Sequence, residues 1–248
     1  MTKISLIASS TRCWLWDEFF ASLVGNSEYE VVFAGNLSTY QVRPYLAKYP
    51  MLKYIHTADC ICPTQCYEIA RRFSNGELIM CVADDCEFSD DMMLDNLYEF
   101  YKSLPEKSII SVKTVENSQN TDLDEHRFFG FNRESPQMAP LGVMSSEYLE
   151  KLGGFDRRYY CGQYENDIVM RIYEDGGQCI KYEKSCVYIE HLKKHGKGTK
   201  FWKGYEYDRQ VLEETWAIGP FVPPPAADLS YGAKITMNGL KPPTVEWP

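Results

Sequence analysis

A chain of 248 residues with 44% hydrophobic content is enough for one large domain with a proper core. A formal net charge of −9 and an isoelectric point near 5.1 argue against wrapping nucleic acid or an anionic membrane surface. No apolar run approaches the roughly 18 residues that span a bilayer, and "MTKISLIASSTR" has too short an apolar stretch for a secretory signal, so the chain reads as soluble and cytoplasmic.

"KISLIAS" is an Ile-rich strand that ends in the polar loop "SSTR". "WLWDEFFASLVGN" repeats apolar residues at Leu15, Phe19 and Leu23, which predicts a helix stopped by Gly25. "YEVVFAGN" is a second strand and "LKYIHT" a short third. In "HTADCICPTQC", His56, Cys60, Cys62 and Cys66 imitate a zinc site, but there is no Cys-x-x-Cys and no second ligand pair. The nine cysteines, an odd number placed mostly in apolar runs, fit reduced thiols better than a disulfide framework. Helix "PTQCYEIARRFSNG" follows, with Pro63 suited to its first turn and Gly76 closing it.

Strand Glu77–Ala83 comes next and runs straight into Asp84 and Asp85. Ser89 reads as the N-cap of "DDMMLDNLYEFYKSL", and "SIISV" is another strand. Residues 115–137 form a long polar loop, followed by strand "MAPLGVMS" and the short helix "SEYLEKLGG". In "FDRRYYCGQYENDIVMRIYEDGG", Ile168, Val169 and Ile172 make a helix stripe ended by Gly176 and Gly177, with Glu165 and Asp167 at its first turn. A last strand, "QCIKYEKSCVYIEH", leads to His191 and a lysine-rich loop. From Pro220 on, seven of the thirteen prolines fall in a tail without helix or strand periodicity.

Strands alternating with helices imply crossover units and a largely parallel sheet, which binds ligands beyond the carboxyl ends of its strands. Asp84 and Asp85 stand at such an end, as does the loop holding Ser9, Thr11 and Arg12, which should contact a base or ribose. Neighbouring ionised carboxylates repel, so a metal ion or an Arg/Lys cluster is expected beside them. Hard oxygen ligands suit Mg²⁺ or Mn²⁺. The plainer alternative is a pair of loop or capping carboxylates. Glu165 at a helix start can act as a general base, whereas Asp167 and Arg171 make a routine i,i+4 pair.

"NGELIMCVADDCEF" resembles the "GEYIxxxDDD" segment of family 2 glycosyltransferases, and "LGGFDRRYYCGQYENDIVMRI" resembles their "GGFDE…EDxDLxxRL" segment. The second is also similar to the "GGEDDDIYNRL" segment of the β-1,4-galactosyltransferases. The resemblance implies an α/β GT-A fold, a central mostly parallel mixed sheet flanked by helices, over residues 1–219, with 220–248 as a tail. It implies metal-dependent transfer of a sugar from a nucleotide-diphosphate sugar to a glycan or other hydroxyl acceptor, with inversion by single displacement; a UDP-sugar is the expected donor. Asp84 then binds ribose, Asp85 and His191 hold Mn²⁺ or Mg²⁺, and Glu165 and Asp167 are the catalytic carboxylates of the second motif, Glu165 standing where the family's catalytic Asp does.

Two family positions differ. Ala34 replaces the base-reading aspartate, leaving Asn36 or Asp59 to substitute, and Tyr67 and Glu68 replace the usual Arg-Asn pair. A nucleotidyltransferase would share the aspartates, but "ASSTRCW" lacks the glycines of its phosphate loop. An inactive sugar-binding or scaffold module is the other alternative.

Overall fold

A computed structural model describes residues 2–57, 62–116, 139, 141–189 and 202–216. Asp59, Cys60, the polar loop beyond residue 116, His191, the lysine-rich loop and the tail lie outside the described residues. One eight-stranded sheet runs through the molecule, built from β1 (Ile4–Ser9), β2 (Tyr29–Gly35), β3 (Leu52–His56), β4 (Leu78–Cys81), β5 (Cys86–Phe88), β6 (Ser108–Glu116), β7 (Gly142–Ser145) and β8 (Gln178–Ile189). Their spatial order is β3-β2-β1-β4-β7-β6-β8-β5.

The first four strands are mutually parallel, and β6 is parallel to β8. β7 is antiparallel to both β4 and β6, with Met144 opposite Ile79 on one side and Ile109 on the other. The sheet is therefore mixed, as expected. The short β5 pairs antiparallel with the end of β8, Cys86 facing Ile189, so the chain leaving the aspartates is held against the end of β8.

The helices are α1 (Trp16–Ala21), α2 (Thr39–Lys48), α3 (Pro63–Arg72), α4 (Met93–Lys102), α5 (Ser146–Lys151), α6 (Tyr164–Glu174) and α7 (Trp202–Trp216). α3 packs across β1 and β2, and Leu6, Ile7, Val31, Phe33 and Met80 are fully buried. This burial on both faces explains the unbroken apolar runs of β1, β2 and β4.

Several elements differ from expectation. The first helix opens with a 3₁₀ turn at Cys13–Leu15 and is only six residues long as an α-helix. α3 stops at Arg72, before Gly76, because Gly76 is needed where its N–H meets the Ser5 hydroxyl at 2.8 Å. Ser89 does not cap α4, which begins at Met93; its hydroxyl instead accepts from Cys186 N at 2.9 Å, joining β5 to β8. α2 lies where the sequence predicts no helix: only Val42 on it is buried and Pro44 interrupts its ladder, so no apolar stripe marks it. Its signature is the capping box of Ser38 and Gln41. Among the described residues no helix is long and apolar enough to cross a membrane.

Glu68 of α3, expected only as a departure from a motif, is a buried brace. Its carboxylate accepts from Arg71 Nε at 2.8 Å, Arg72 Nε at 2.7 Å and Phe155 N at 3.1 Å, tying α3 to the turn before α6. Burial pushes the Glu68 carboxyl up, but the bonds from Arg71, Arg72 and Phe155 outweigh it and hold it below the ordinary 4.5. A depressed carboxyl contributes stability above its unfolded value and loses it as pH falls through the folded one. Glu68→Gln is therefore expected to cost roughly 1–3 kcal/mol at pH 7. In denaturant titrations at several pH values, that gap should shrink below the ordinary glutamate range; a gap that stays constant with pH contradicts the ionised brace.

Candidate active site

The site forms where β1, β2 and β4 end together. β4 finishes at Cys81, and the chain turns so that Asp84 and Asp85 are both only 1% exposed. Two buried, adjacent carboxylates require a positive partner, and among the described residues it is Arg12. Its Nη2 donates to Asp84 Oδ1 and lies 3.6 Å from Asp85 Oδ2. Ser10 Oγ donates to the other Asp84 oxygen at 2.7 Å. Burial raises the Asp84 carboxyl above the usual aspartate range, Asp85 adds to the rise, and Arg12 and Ser10 oppose it.

Ser10, rather than its neighbours Ser9 and Thr11, is the anchor of the loop. Trp16 Nε1 donates to its hydroxyl at 2.8 Å, and Tyr54 OH donates to its carbonyl at 3.1 Å while accepting from Leu37 N at 2.9 Å. Trp16 is itself fully buried against Phe33, Tyr45 and Tyr54. Gly35 allows the two loops to meet: a Cβ there would sit 2.1 Å from the Ser10 carbonyl oxygen. Thr11 and Asn36 are exposed beside this contact, and Ser9 and Arg12 are partly buried. The pairing Trp16–Ser10–Asp84 links residues 74 positions apart, so no local pattern could reveal it.

The second motif arrives from α6. Its N-cap, Gln163, adopts φ 65°, a left-handed backbone that costs energy for a non-glycine residue. Glu165 is partly exposed and lines a small hollow with Ile79, Cys81, Phe155 and Ile168. Cys81 is the last residue of β4, so the topology brings Glu165 to the strand end that carries the aspartates. Burial, with the Glu165 charge adding to it, raises the Cys81 thiol far above its usual value. Tyr67 also faces this region: its buried hydroxyl donates to Val82 O at 2.6 Å, and its ring lies 4.9 Å from that of Tyr164.

Asp167 has a different setting. It is fully buried, 2.8 Å from Arg171 Nη2, and accepts from Trp216 Nε1 at 2.9 Å. Arg171 also donates to Leu152 O at 2.7 Å. Burial raises the Asp167 carboxyl, opposed by Arg171 and Trp216.

Among the described residues no three His, Cys, Asp or Glu side chains gather as a complete metal cage. The donor chemistry still fits Mg²⁺ or Mn²⁺, which bind through one or two carboxylates plus substrate phosphates. Asp85 is such a carboxylate at a strand end. His191 lies outside the described residues; Ile189, two positions before it, pairs with Cys86 beside Asp85.

The fold of the chain matches solved structures. The chain superposes on residues 1–349 of Staphylococcus aureus TarS in complex with UDP-GlcNAc with a TM-score of 0.66, at 15% identity over 94% of this chain and 70% of that one. The fold is GT-A. Mannosyltransferase PcManGT from Pyrobaculum calidifontis, in complex with GDP-Man and Mn²⁺, gives 0.63 at 16% identity over 95% of this chain and 69% of that one. GalNAc-T7 with UDP, GalNAc and Mn²⁺ gives 0.59 at 12% identity, the chain spanning 54% of its length. No protein-family profile and no curated sequence matches. At these identities the likeness is one of GT-A fold alone.

The GT-A framework yields a prediction for Asp167. Asp167→Asn leaves the Arg171 charge buried without a counter-ion, which is expected to cost about 3–5 kcal/mol. Denaturant unfolding reads the loss, and nucleotide affinity of the folded protein should persist. Unchanged stability with abolished nucleotide binding would contradict a packing role.

Proposed function

We propose that this chain is a metal-dependent glycosyltransferase that moves a sugar from a nucleotide-diphosphate sugar, UDP-linked in preference, to an acceptor hydroxyl with inversion. The observation that carries the reading is the junction of buried Asp84 and Asp85 with Ser10 and Arg12 at the carboxyl edge of a GT-A sheet. UDP-GlcNAc and GDP-Man in the structural neighbours support the donor class, and Mn²⁺ in two of them supports a divalent ion.

Asp84, held by Ser10 and Arg12, accepts hydrogen bonds from the ribose, while exposed Thr11 and Asn36 take the base, with Ser9 completing the loop. Asp85 and His191 would hold the divalent ion. When bound, that ion supplies charge neutralisation to the diphosphate leaving group. Glu165 takes the acceptor's hydroxyl proton as its oxygen bonds to the anomeric carbon. The bond from that carbon to the diphosphate oxygen breaks on the opposite face, and the nucleotide diphosphate departs. Asp167, paired with Arg171, keeps the start of α6 in position rather than reacting.

Glu165→Gln removes basicity and keeps size. Donor affinity should survive while transfer falls by about 10²–10⁴-fold. The measurement is nucleotide release from a panel of UDP- and GDP-sugars, with donor binding followed in parallel. A panel in which no nucleotide sugar binds or turns over overturns the reading, and an active Glu165 variant removes that residue from the role of base.

A further inference from the structure

We propose that the 160–162 loop and α7 form a shelf that binds a saccharide acceptor, with Tyr160 and Tyr207 as its stacking surface. Among the described residues these are the two exposed aromatic side chains that touch each other: 49% and 47% exposed, ring centroids 5.2 Å apart, edge to face. A pair of wet tyrosines offers apolar ring surface beside hydroxyls, the combination that suits the C–H faces and hydroxyls of a sugar ring. Tyr164, the other aromatic of this segment, is only 8% exposed and packs on Tyr67 and Phe155, so it belongs to the core.

The shelf is built rather than incidental. Asp208, fully buried on α7, accepts from three consecutive backbone N–H groups: Tyr160 and Cys161 at 2.7 Å and Gly162 at 2.8 Å. Charge-assisted bonds of this kind are about twice as strong as neutral ones. Gly204 stands one turn earlier on the same face, where a Cβ would be 3.3 Å from Tyr160 Cβ, so the helix backbone lies directly on the loop. Gly204, Tyr207 and Asp208 are spaced i, i+3, i+4, which places the ring and its brace on one side of α7. A buried carboxylate thus fixes the backbone beneath an exposed ring.

Position gives the shelf its occupant. Tyr160 O accepts from Thr64 N at 3.2 Å, at the N-terminus of α3, and α3 follows a parallel strand, so the loop lies at the sheet's carboxyl edge. Five residues beyond Tyr160 is Glu165, the proposed base. A sugar stacked on Tyr160 and Tyr207 is held beside the group that would deprotonate it. Its role as acceptor rests on the glycosyltransferase reading; saccharide recognition by the two rings does not.

The test is ligand-detected NMR on the full chain with methyl glycosides and disaccharides, with and without UDP and Mn²⁺. Tyr160→Ala and Tyr207→Ala should each weaken saccharide binding by about tenfold, and Tyr207→Phe should keep most of it. UDP affinity, measured in parallel, should not change. Saccharides that bind the alanine variants as they bind wild type overturn the shelf, as does a wild-type protein that binds no saccharide or binds hydroxyl-bearing peptides there instead. If UDP and Mn²⁺ fail to bind while saccharides still depend on both tyrosines, the shelf stands and the glycosyltransferase reading falls.

Discussion

The constraint on which the site depends is the burial of two adjacent carboxylates, Asp84 and Asp85, beside one guanidinium. Unit charges about 4 Å apart interact by roughly 4 kcal/mol at the effective dielectric of a protein surface, so Arg12 beside both carboxylates offsets a large part of their repulsion. Arg12 is held by a short loop whose Ser10 is fixed by Trp16, and Trp16 is part of the main core. The order of the site is thus inherited from hydrophobic packing. Gly35 extends the same logic to β2, because only a residue without a Cβ lets the second loop reach Ser10.

The other half of the site is organised by α7. This helix contributes no recognisable motif, yet two of its side chains hold the segment that carries Glu165: Asp208 binds the loop before α6, and Trp216 binds Asp167 within it. Gln163 in its left-handed conformation lies between these two restraints. A strained residue is maintained where its surroundings over-determine it, and here they come from a distant part of the chain. The two acidic residues of the motif are divided by environment: Glu165 is partly exposed, and Asp167 is fully buried between Arg171 and Trp216.

Much of the fold was legible because its strands carry the signal of burial on both faces and its helices mostly carry a 3.6-residue stripe. The parallel alternation through β4, the aspartates at its end and the acidic start of α6 could all be read from residue order. α2 escaped because a polar surface helix with one buried residue leaves no stripe. β5 escaped because three residues are too few for periodicity, and its existence depends on β8, about 100 positions later. Ser10, Tyr54, Glu68 and Asp208 escaped for a related reason: each acts on a group distant in sequence, and a serine, tyrosine or carboxylate is ordinary until its partner is known.

On the proposed reading, the carboxyl edge at Asp84 and Asp85 takes a nucleoside diphosphate together with a divalent cation. Calorimetric titration of UDP into the protein, with Mn²⁺ and with the metal chelated, tests it most directly. Binding should strengthen markedly with Mn²⁺, and Asp85→Asn should abolish that gain while leaving the fold intact. Equal UDP affinity with and without Mn²⁺, or a gain that survives in Asp85→Asn, would contradict it.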